Sequence, residues 1–203
     1  MDVRRATAAD AETLTECIAL AFAEDPIWSI ALRRGDGRTD HVRPYWQASV
    51  EAALRFETVF VADEGAAVAV WIPPGEEEFS DDQATAIDVL VERSLDPRSY
   101  RAIHELYDRF SASRAGAPGP HAYLSLLATH PAHRGRGIGQ ALLAANLTTF
   151  DAEGTPAYLE STNPANDHRY ERAGFRRIGG FGAVLDDARV TAMWRPVGGA
   201  GGV

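Results

Sequence analysis

The hydrophobic positions of the chain follow two periods, and their succession predicts a sheet with helices packed on it. Apolar residues three and four apart, as in Leu14, Cys17, Ile18, Ala21 and Phe22, are typical of one face of a helix. On this spacing, helices are predicted from Ala8 to Asp25 and at about 44–55, 137–153 and 164–173. Short apolar runs predict strands at 2–7, 58–62, 66–72, 122–129, 157–161, 175–185 and 189–194. This alternation indicates the α/β class.

Two segments depart from this pattern. Residues 76–120 are polar, with a turn signal at Asp96-Pro97, and we expect a helical or loop insertion in which the acidic run Glu76 to Glu78 is solvated. Residues 198–203 are rich in glycine and predict a flexible tail. The remaining length suits one domain, so we expect a single domain spanning residues 1–197.

A glycine-rich turn follows the predicted strand at 122–129 and opens the next helix. It contains Arg134, Gly135, Arg136, Gly137 and Gly139. Glycines let the backbone approach an anion closely, and the free amides of a helix start bind pyrophosphate. The arginines can add charge-assisted hydrogen bonds. The turn is not a dinucleotide-binding G-x-G-x-x-G fingerprint, because Gln140 stands where the last glycine is required.

Composition narrows the chemistry. All 20 Lys+Arg residues are arginine, so the glycine-rich turn is not a Walker loop, and no lysine can form a Schiff base or act as a base. The formal net charge of -9 argues against nucleic-acid binding, which needs a basic surface, and mildly favours a cationic partner. No His, Cys or Asp cluster has metal-ligand spacing, so we expect no metal.

We expect a soluble, cytoplasmic protein. Met1 to Glu12 lacks the apolar segment of a secretory signal peptide. The longest strongly apolar run, Ala66 to Ile72, is far too short to span a membrane. The single cysteine, Cys17, has no partner for an internal disulfide, which indicates a reducing compartment, and its place on an apolar helix face predicts a core residue.

The glycine-rich turn also fits the pattern Arg/Gln-x-x-Gly-x-Gly/Ala. With a buried strand before it and an amphipathic helix after it, the segment resembles the GNAT superfamily of acyl-CoA-dependent N-acetyltransferases. The resemblance implies a mixed, strongly twisted sheet of six or seven strands flanked by helices, splayed between the strands at 122–129 and 157–161. It also implies that acetyl-CoA, as co-substrate, contacts Leu127, Ala128, Thr129, Arg134, Gly135, Arg136, Gly137, Ile138 and Gly139.

A second signature of the same family follows, at Tyr158 to Asn166 and Tyr170 to Phe175. In the family an asparagine here reaches the pantetheine arm and the tyrosine lies beside the acetyl-CoA sulfur. The resemblance therefore implies cofactor contacts from Asn163, Asn166 and Tyr170. Together with Val59 to Trp71, these residues resemble the puromycin N-acetyltransferase-like actinobacterial members.

Acetyl transfer to an amine needs a base for the amine and an acid, or another stabilising group, for the leaving thiolate. The resemblance implies the second role for Tyr170, and the alternative is an aromatic residue that packs on the sheet. Glu160 is the candidate base, directly or through a water, because it lies near the carboxyl end of its strand, where α/β sheets bind ligands. The alternative for Glu160 is a structural carboxylate.

The acceptor is expected to be a primary amine of a small molecule, with an antibiotic-like amine as one form of it. Candidates for contacting a cationic or ring-bearing acceptor are Asp25, Trp28, Trp46 and Trp71. The alternative for each tryptophan is a place in the core. Acetylation of peptide or protein N-termini and a non-catalytic acyl-CoA-binding regulatory domain remain open. We expect no nucleic acid or membrane partner, and a monomer or homodimer.

Overall fold

The computed structural model describes residues 1–199. Its strands are β1 (Val3–Arg5), β2 (Val59–Ala62), β3 (Ala67–Ile72), β4 (Ala122–Thr129), β5 (Ala157–Ser161), β6 (Arg176–Gly182) and β7 (Arg189–Arg195). Its helices are α1 (Ala11–Phe22), α2 (Trp28–Ala31), α3 (Val42–Ala53), α4 (Asp81–Ser94), α5 (Pro97–Ala115), α6 (Ile138–Ala152) and α7 (Asp167–Arg172). Among these residues, no helix is both long enough and apolar enough to cross a membrane.

The seven strands form one sheet in the order β1-β2-β3-β4-β5-β7-β6. Neighbouring strands are antiparallel except β4 and β5, which run parallel. This confirms the predicted mixed sheet flanked by helices. The pairing of β4 with β5 extends only from Ala122 to Leu124 on β4 and from Ala157 to Leu159 on β5, so the two strands part where the sequence predicted a splay.

A bulge in β4 decides which way the residues after it face. Val70 of β3 pairs with Leu126, and its neighbour Trp71 pairs with Leu124, so Ser125 is an extra residue without a partner in this register. Side chains alternate between the two faces of a strand, and one extra residue reverses the alternation beyond it. The bulge therefore turns Thr129 toward α6 and Leu126 toward the opposite face.

Each face of the sheet has its own core. On one face α6 covers buried side chains that include Trp71, Leu124 and Met193. On the other face, α1, α3, α4 and α5 cover a second set of buried side chains, which includes Val70 and Tyr158. Burying one large apolar side chain stabilises a fold by about 1.5–3 kcal/mol, so both faces hold the splayed strands firmly in place.

The segment at 76–120 contains a helical hairpin of α4 and α5, where the sequence predicted helix or loop. Ser80 begins α4 with a capping box in which Gln83 takes part. Asp96 caps α5, whose first residue is Pro97. The expectation of a wholly solvated acidic run is wrong for Glu78, whose side chain keeps only 23% of its surface exposed.

Two further features were not settled by the hydrophobic pattern. The short helix α2 was not predicted, because four residues are too few to show a helical period. At the other end of the chain, residues 200–203 of the tail predicted at 198–203 lie outside the described residues. The backbone N–H of Gly198 donates to Asp151 Oδ1 at 2.7 Å.

Candidate active site

A cleft of about 1100 Å³ opens where β4 and β5 part. One part, here called the turn side, is lined by residues 133–135, 137–140, 162, 163, 166, 169 and 170 together with the end of β4. The other part, here called the helical side, is lined by α2, α3, α4 and α5. Glu160 lines the same cleft, so one cleft contains both the glycine-rich turn and this carboxylate.

The glycine-rich turn has a backbone that only glycine adopts easily. Gly135 and Gly137 have φ values of +77° and +76°, in the left-handed region. The start of α6 has no side-chain cap, and Ile138 and Gly139 in its first turn line the cleft. Uncapped first-turn amides facing a cleft are suited to bind an anion, so the turn fits the pyrophosphate of a nucleotide-type cofactor.

The predicted cofactor residues do not all face the cleft. Leu127, Thr129, Asn163 and Asn166 line it. Ala128 is buried on the opposite side of the sheet from α6, so only its backbone remains available. Arg136 lies outside the lining, and its guanidinium contacts the His133 Nδ1 at 2.9 Å. Arg134 lines the cleft while its Nη2 donates to the Ala21 carbonyl at 3.0 Å.

Glu160 is held by one hydrogen bond and leaves one oxygen without a partner. The hydroxyl of Tyr158 donates to Glu160 Oε1 at 2.6 Å, and Oε2 is buried with no hydrogen-bond partner among the described residues. Burial raises the pKa of Glu160 to about 7, and the hydroxyls of Tyr158 and Tyr123 oppose this shift by favouring the charged form. A carboxylate with a pKa near 7 can both accept and release a proton at neutral pH.

A second carboxylate, Glu78, lies on the helical side. The Ser125 hydroxyl, at the bulge of β4, donates to Glu78 Oε1, and Arg114 Nη1 lies 3.8 Å from Oε2. The guanidinium of Arg114 also stacks over the ring of Tyr123, 4.7 Å from its centroid. Burial raises the pKa of Glu78 above its ordinary value. Arg114 thus supplies positive charge next to two carboxylates in one cleft.

Tyr170 lines the turn side of the cleft, as Asn166 and the start of α6 do. Burial raises the pKa of its phenol to about 12, and the nearby Asp25 and Asp167 act in the same direction. The phenol is therefore protonated at neutral pH and able to donate a proton or a hydrogen bond.

Comparison with known proteins agrees with this geometry. The family model described as "Acetyltransferase (GNAT) family" matches residues 76–175. The match runs from the loop before α4 to the residues after α7, and it contains the glycine-rich turn, Glu160 and Tyr170. This segment, just under half of the chain, matches the GNAT acetyltransferase family. The match supports an acyltransferase, and enzymes of the family use acetyl-CoA as co-substrate.

Solved structures extend the similarity to nearly the whole chain. One is the histone acetyltransferase HPA2 and related acetyltransferase from Corynebacterium glutamicum, with 24% identity, coverage of 99% of this chain and 98% of that chain, and a TM-score of 0.65. Arylalkylamine N-acetyltransferase 2 from Aedes aegypti has 13% identity, coverage of 97% and 98%, and a TM-score of 0.68. The Drosophila melanogaster polyamine N-acetyltransferase has 19% identity, coverage of 96% and 99%, and a TM-score of 0.63. At these identities the similarity establishes the GNAT fold.

The acceptor residues predicted from sequence fall into three situations in this GNAT fold. Asp25 lines the cleft, but Ile27 and Trp28 donate backbone N–H bonds to its Oδ1 and Thr162 donates to its Oδ2 at 2.6 Å. Trp28 and Trp46 line the helical side. Trp71 is fully buried under α6 and lies outside the lining.

The position of Trp71 has a clear physical reason. Its indole N–H donates to the Asn146 side chain at 3.0 Å, and its ring packs edge-on against Phe150. A buried indole with a satisfied N–H is a core residue. We therefore leave Trp71 out of the acceptor site.

Sequence reasoning missed most of the helical side of the GNAT cleft. One face of α5 lines it at successive turns, with His104, Tyr107, Ser111 and Arg114. Their spacing of three, four and three residues is the helical period, so a polar and aromatic stripe on this helix was a signal in the sequence. The burial of Glu78 had no such signal, because it depends on how the hairpin packs over β4.

Proposed function

We propose that the protein transfers an acetyl group from acetyl-CoA to a primary amine of a small molecule in a direct ternary complex. The observation that carries this proposal is the single cleft that contains both the glycine-rich turn and Glu160. The only cysteine, Cys17, lies outside the cleft lining, and burial raises the pKa of its thiol to about 12. An inert thiol supports direct transfer rather than a cysteine-bound acyl intermediate.

On this proposal the turn side holds acetyl-CoA, which supplies the acetyl group as an activated thioester. Backbone groups of Leu127 to Thr129 are without β5 partners in the splayed part of β4, so they are free to pair with an extended pantetheine arm. The amides of residues 135–139 and the Arg134 guanidinium would bind the pyrophosphate. Asn163 and Asn166 also line the cleft.

Glu160 acts as the base in this scheme. As the amine nitrogen forms its bond to the acetyl carbonyl carbon, Glu160 accepts the proton that the nitrogen loses. The carbon–sulfur bond then breaks, and Tyr170 donates a proton to the departing thiolate and regains one from solvent. The pKa of about 7 for Glu160 suits acceptance at neutral pH, and the protonated phenol of Tyr170 suits donation.

The helical side supports a cationic acceptor with an apolar or aromatic body. Its carboxylates are Glu77, Glu78 and Asp88, with Glu160 in the same cleft and Arg114 as the opposing charge. Its aromatic lining comprises Trp28, Tyr45, Trp46, Tyr107 and Phe110. Negative charge and aromatic faces attract ammonium groups. Structural neighbours named arylalkylamine and polyamine N-acetyltransferases act on amines of this kind.

We test the proposal by following free thiol release from acetyl-CoA over a panel of amines. The panel contains arylalkylamines, polyamines, an aminoacyl-nucleoside chosen for the resemblance to puromycin N-acetyltransferase-like members, and peptides with free N-termini. Turnover on a small amine that is lost in Glu160→Gln is the expected result. Preferred turnover on peptides would favour N-terminal acetylation instead. Thermal stabilisation by coenzyme A without turnover on any amine would indicate a binding domain, and no stabilisation would overturn the proposal.

A further inference from the structure

We propose that the proton taken up by Glu160 leaves the protein through Tyr158 and Ser113, on the α5 side of the sheet, and not through the cleft. This inference rests on the proposed function, in which Glu160 is the base. Each turnover leaves Glu160 protonated, and the carboxylate must be restored before the next amine can react. The structure contains a hydrogen-bonded path for that step.

The path consists of three side chains on two elements. The Tyr158 hydroxyl donates to Glu160 Oε1 at 2.6 Å, and the Ser113 hydroxyl lies 2.8 Å from the Tyr158 hydroxyl. Tyr158 is fully buried, whereas Ser113, near the end of α5, is partly exposed. Neither Tyr158 nor Ser113 lines the cleft. The path therefore runs from the cleft carboxylate through the sheet face to solvent at α5.

The hydrogen bonds of this path can reverse. With Glu160 ionised, Tyr158 donates to it and Ser113 donates to Tyr158. With Glu160 protonated, the carboxylic acid donates to Tyr158, Tyr158 donates to Ser113, and Ser113 donates to water. Each hydroxyl oxygen gains one proton and loses one, so the net change is a single proton moved from Glu160 to solvent. The geometry allows either partner to be the donor between Ser113 and Tyr158.

The unpartnered oxygen of Glu160 completes the scheme. Oε2 has no hydrogen-bond partner among the described residues, so it is the oxygen free to accept the proton from an amine. Rotation about the last bond of the side chain, which has a broad and nearly two-fold profile, exchanges Oε2 with Oε1. That rotation brings the protonated oxygen to Tyr158 and breaks only one hydrogen bond.

Charge does not decide between the two exits. Arg114, Glu78 and Tyr123 face Glu160 and line the cleft. Arg114 opposes a proton and Glu78 attracts one, and Arg114 acts on Tyr158 as well. During the reaction the cleft also holds the acetylated product. Tyr158 is the neighbour of Glu160 that leads away from the cleft.

Ser113→Ala tests the route without changing any group that touches Glu160, and Ser113→Thr is the matched control that keeps the hydroxyl. Proton release follows acetyl transfer, so we expect Ser113→Ala to lower kcat several-fold while kcat/KM for the amine stays unchanged. The solvent deuterium isotope effect on kcat should increase, and small exogenous bases should restore the rate. Ser113→Thr should behave as the wild type. Wild-type kcat and isotope effect in Ser113→Ala would overturn the proposal.

A second measurement needs no acceptor and separates this inference from the proposed function. After a pH jump, the infrared carboxyl band that disappears in Glu160→Gln reports the protonation of Glu160 directly. The rate at which this band changes after the jump should fall in Ser113→Ala and in Tyr158→Phe but not in Ser113→Thr. Equal rates in Ser113→Ala and the wild type would overturn the route. A protein that acetylates none of the amines would overturn the proposed function and leave this measurement valid.

Discussion

Gly139, in the first turn of α6, lies so close to Thr129 at the end of β4 that a Cβ at position 139 would overlap the threonine Oγ1. The contact depends on the bulge at Ser125, which turns Thr129 toward α6. It fixes the distance between the uncapped amides of the helix start and the free backbone of β4. These are the two elements that we propose hold acetyl-CoA.

Gly139→Ala should therefore weaken coenzyme A binding. Overpacking of this kind costs about 1–3 kcal/mol. If the displaced helix start lowers the binding free energy by about 1.4 kcal/mol, the Kd for coenzyme A rises roughly tenfold. Adding Thr129→Ala removes the overlapping oxygen, and the remaining Cβ–Cβ distance of 3.8 Å is an ordinary contact. Titration calorimetry should show weak binding in the single variant and recovery in the double variant. Unchanged binding in Gly139→Ala would contradict this role.

The pH dependence of turnover should report Glu160. Because the carboxylate is the form that accepts a proton, kcat/KM for the amine should rise as the pH increases through about 7, the raised pKa of Glu160. Glu160→Gln should lower kcat/KM by about 10²–10⁴-fold and remove this limb. Glu76→Gln, an exposed carboxylate outside the cleft, is the control. A limb that persists in Glu160→Gln would assign the base to another group.

The same burial should make stability depend on pH. The pKa of Glu160 is raised from its ordinary 4.5 to about 7 in the folded protein, so folding favours the protonated form. The associated stability is fully present below about pH 4.5 and is lost as the pH rises through 7. Glu160→Gln has no charge to bury. The difference in Tm between this variant and the wild type should therefore shift in favour of the variant between pH 5 and pH 8. A constant difference in Tm would show that Glu160 is not the cause.

Tyr170→Phe should separate chemistry from binding. The substitution keeps the ring and removes the phenol proton. General acid–base groups contribute roughly 10²–10⁴-fold to the rate, so we expect kcat to fall by at least about 10²-fold. The Kd for acetyl-CoA should change little, because the ring still lines the turn side. Single-turnover kinetics with separately measured Kd will distinguish the two. An unaltered kcat would exclude Tyr170 as the proton donor.

Arg195 should contribute strongly to stability although it lies far from the chemistry. Its guanidinium donates to both oxygens of Asp151 at 2.6 and 2.7 Å and to the Ala173 carbonyl at 2.9 Å. Removing one partner of a buried pair costs roughly 3–5 kcal/mol. Because Asp151 keeps 27% of its side chain exposed, we expect about 2–3 kcal/mol for Arg195→Ala. Urea unfolding will measure it, and a loss below about 1 kcal/mol, as for a surface pair, would contradict the expectation.

The sequence predicted the parts of this molecule that local patterns determine. β4 and β5 have the predicted bounds, and the α6 start lies within one residue of its predicted place. The two strands have a strong apolar pattern, and the start of α6 follows glycines whose backbone geometry requires them. The glycine-rich turn was recognisable for the same reason.

The parts that depend on packing between distant segments could not be predicted. Nothing in the run Leu124 to Leu126 shows that Ser125 is a bulge, because the bulge is defined by the register with β3. The partial burial of Glu78 requires the α4–α5 hairpin to fold over β4. Trp71, in a predicted strand, and Trp46, in a predicted helix, were both acceptor candidates. Trp71 is buried in the core under α6, whereas Trp46, on α3, packs in the other core and also lines the cleft.

The α4–α5 hairpin lies between β3 and β4 in the chain, and it forms much of the helical side of the cleft. The glycine-rich turn lies in a different contiguous segment, after β4. On the proposed function, substitutions in residues 76–120 change α4 and α5 on the acceptor side and leave the segment that holds acetyl-CoA unchanged. A library for new acceptors can therefore start from this hairpin, while Trp28 and Trp46, on α2 and α3, also contribute to the aromatic lining.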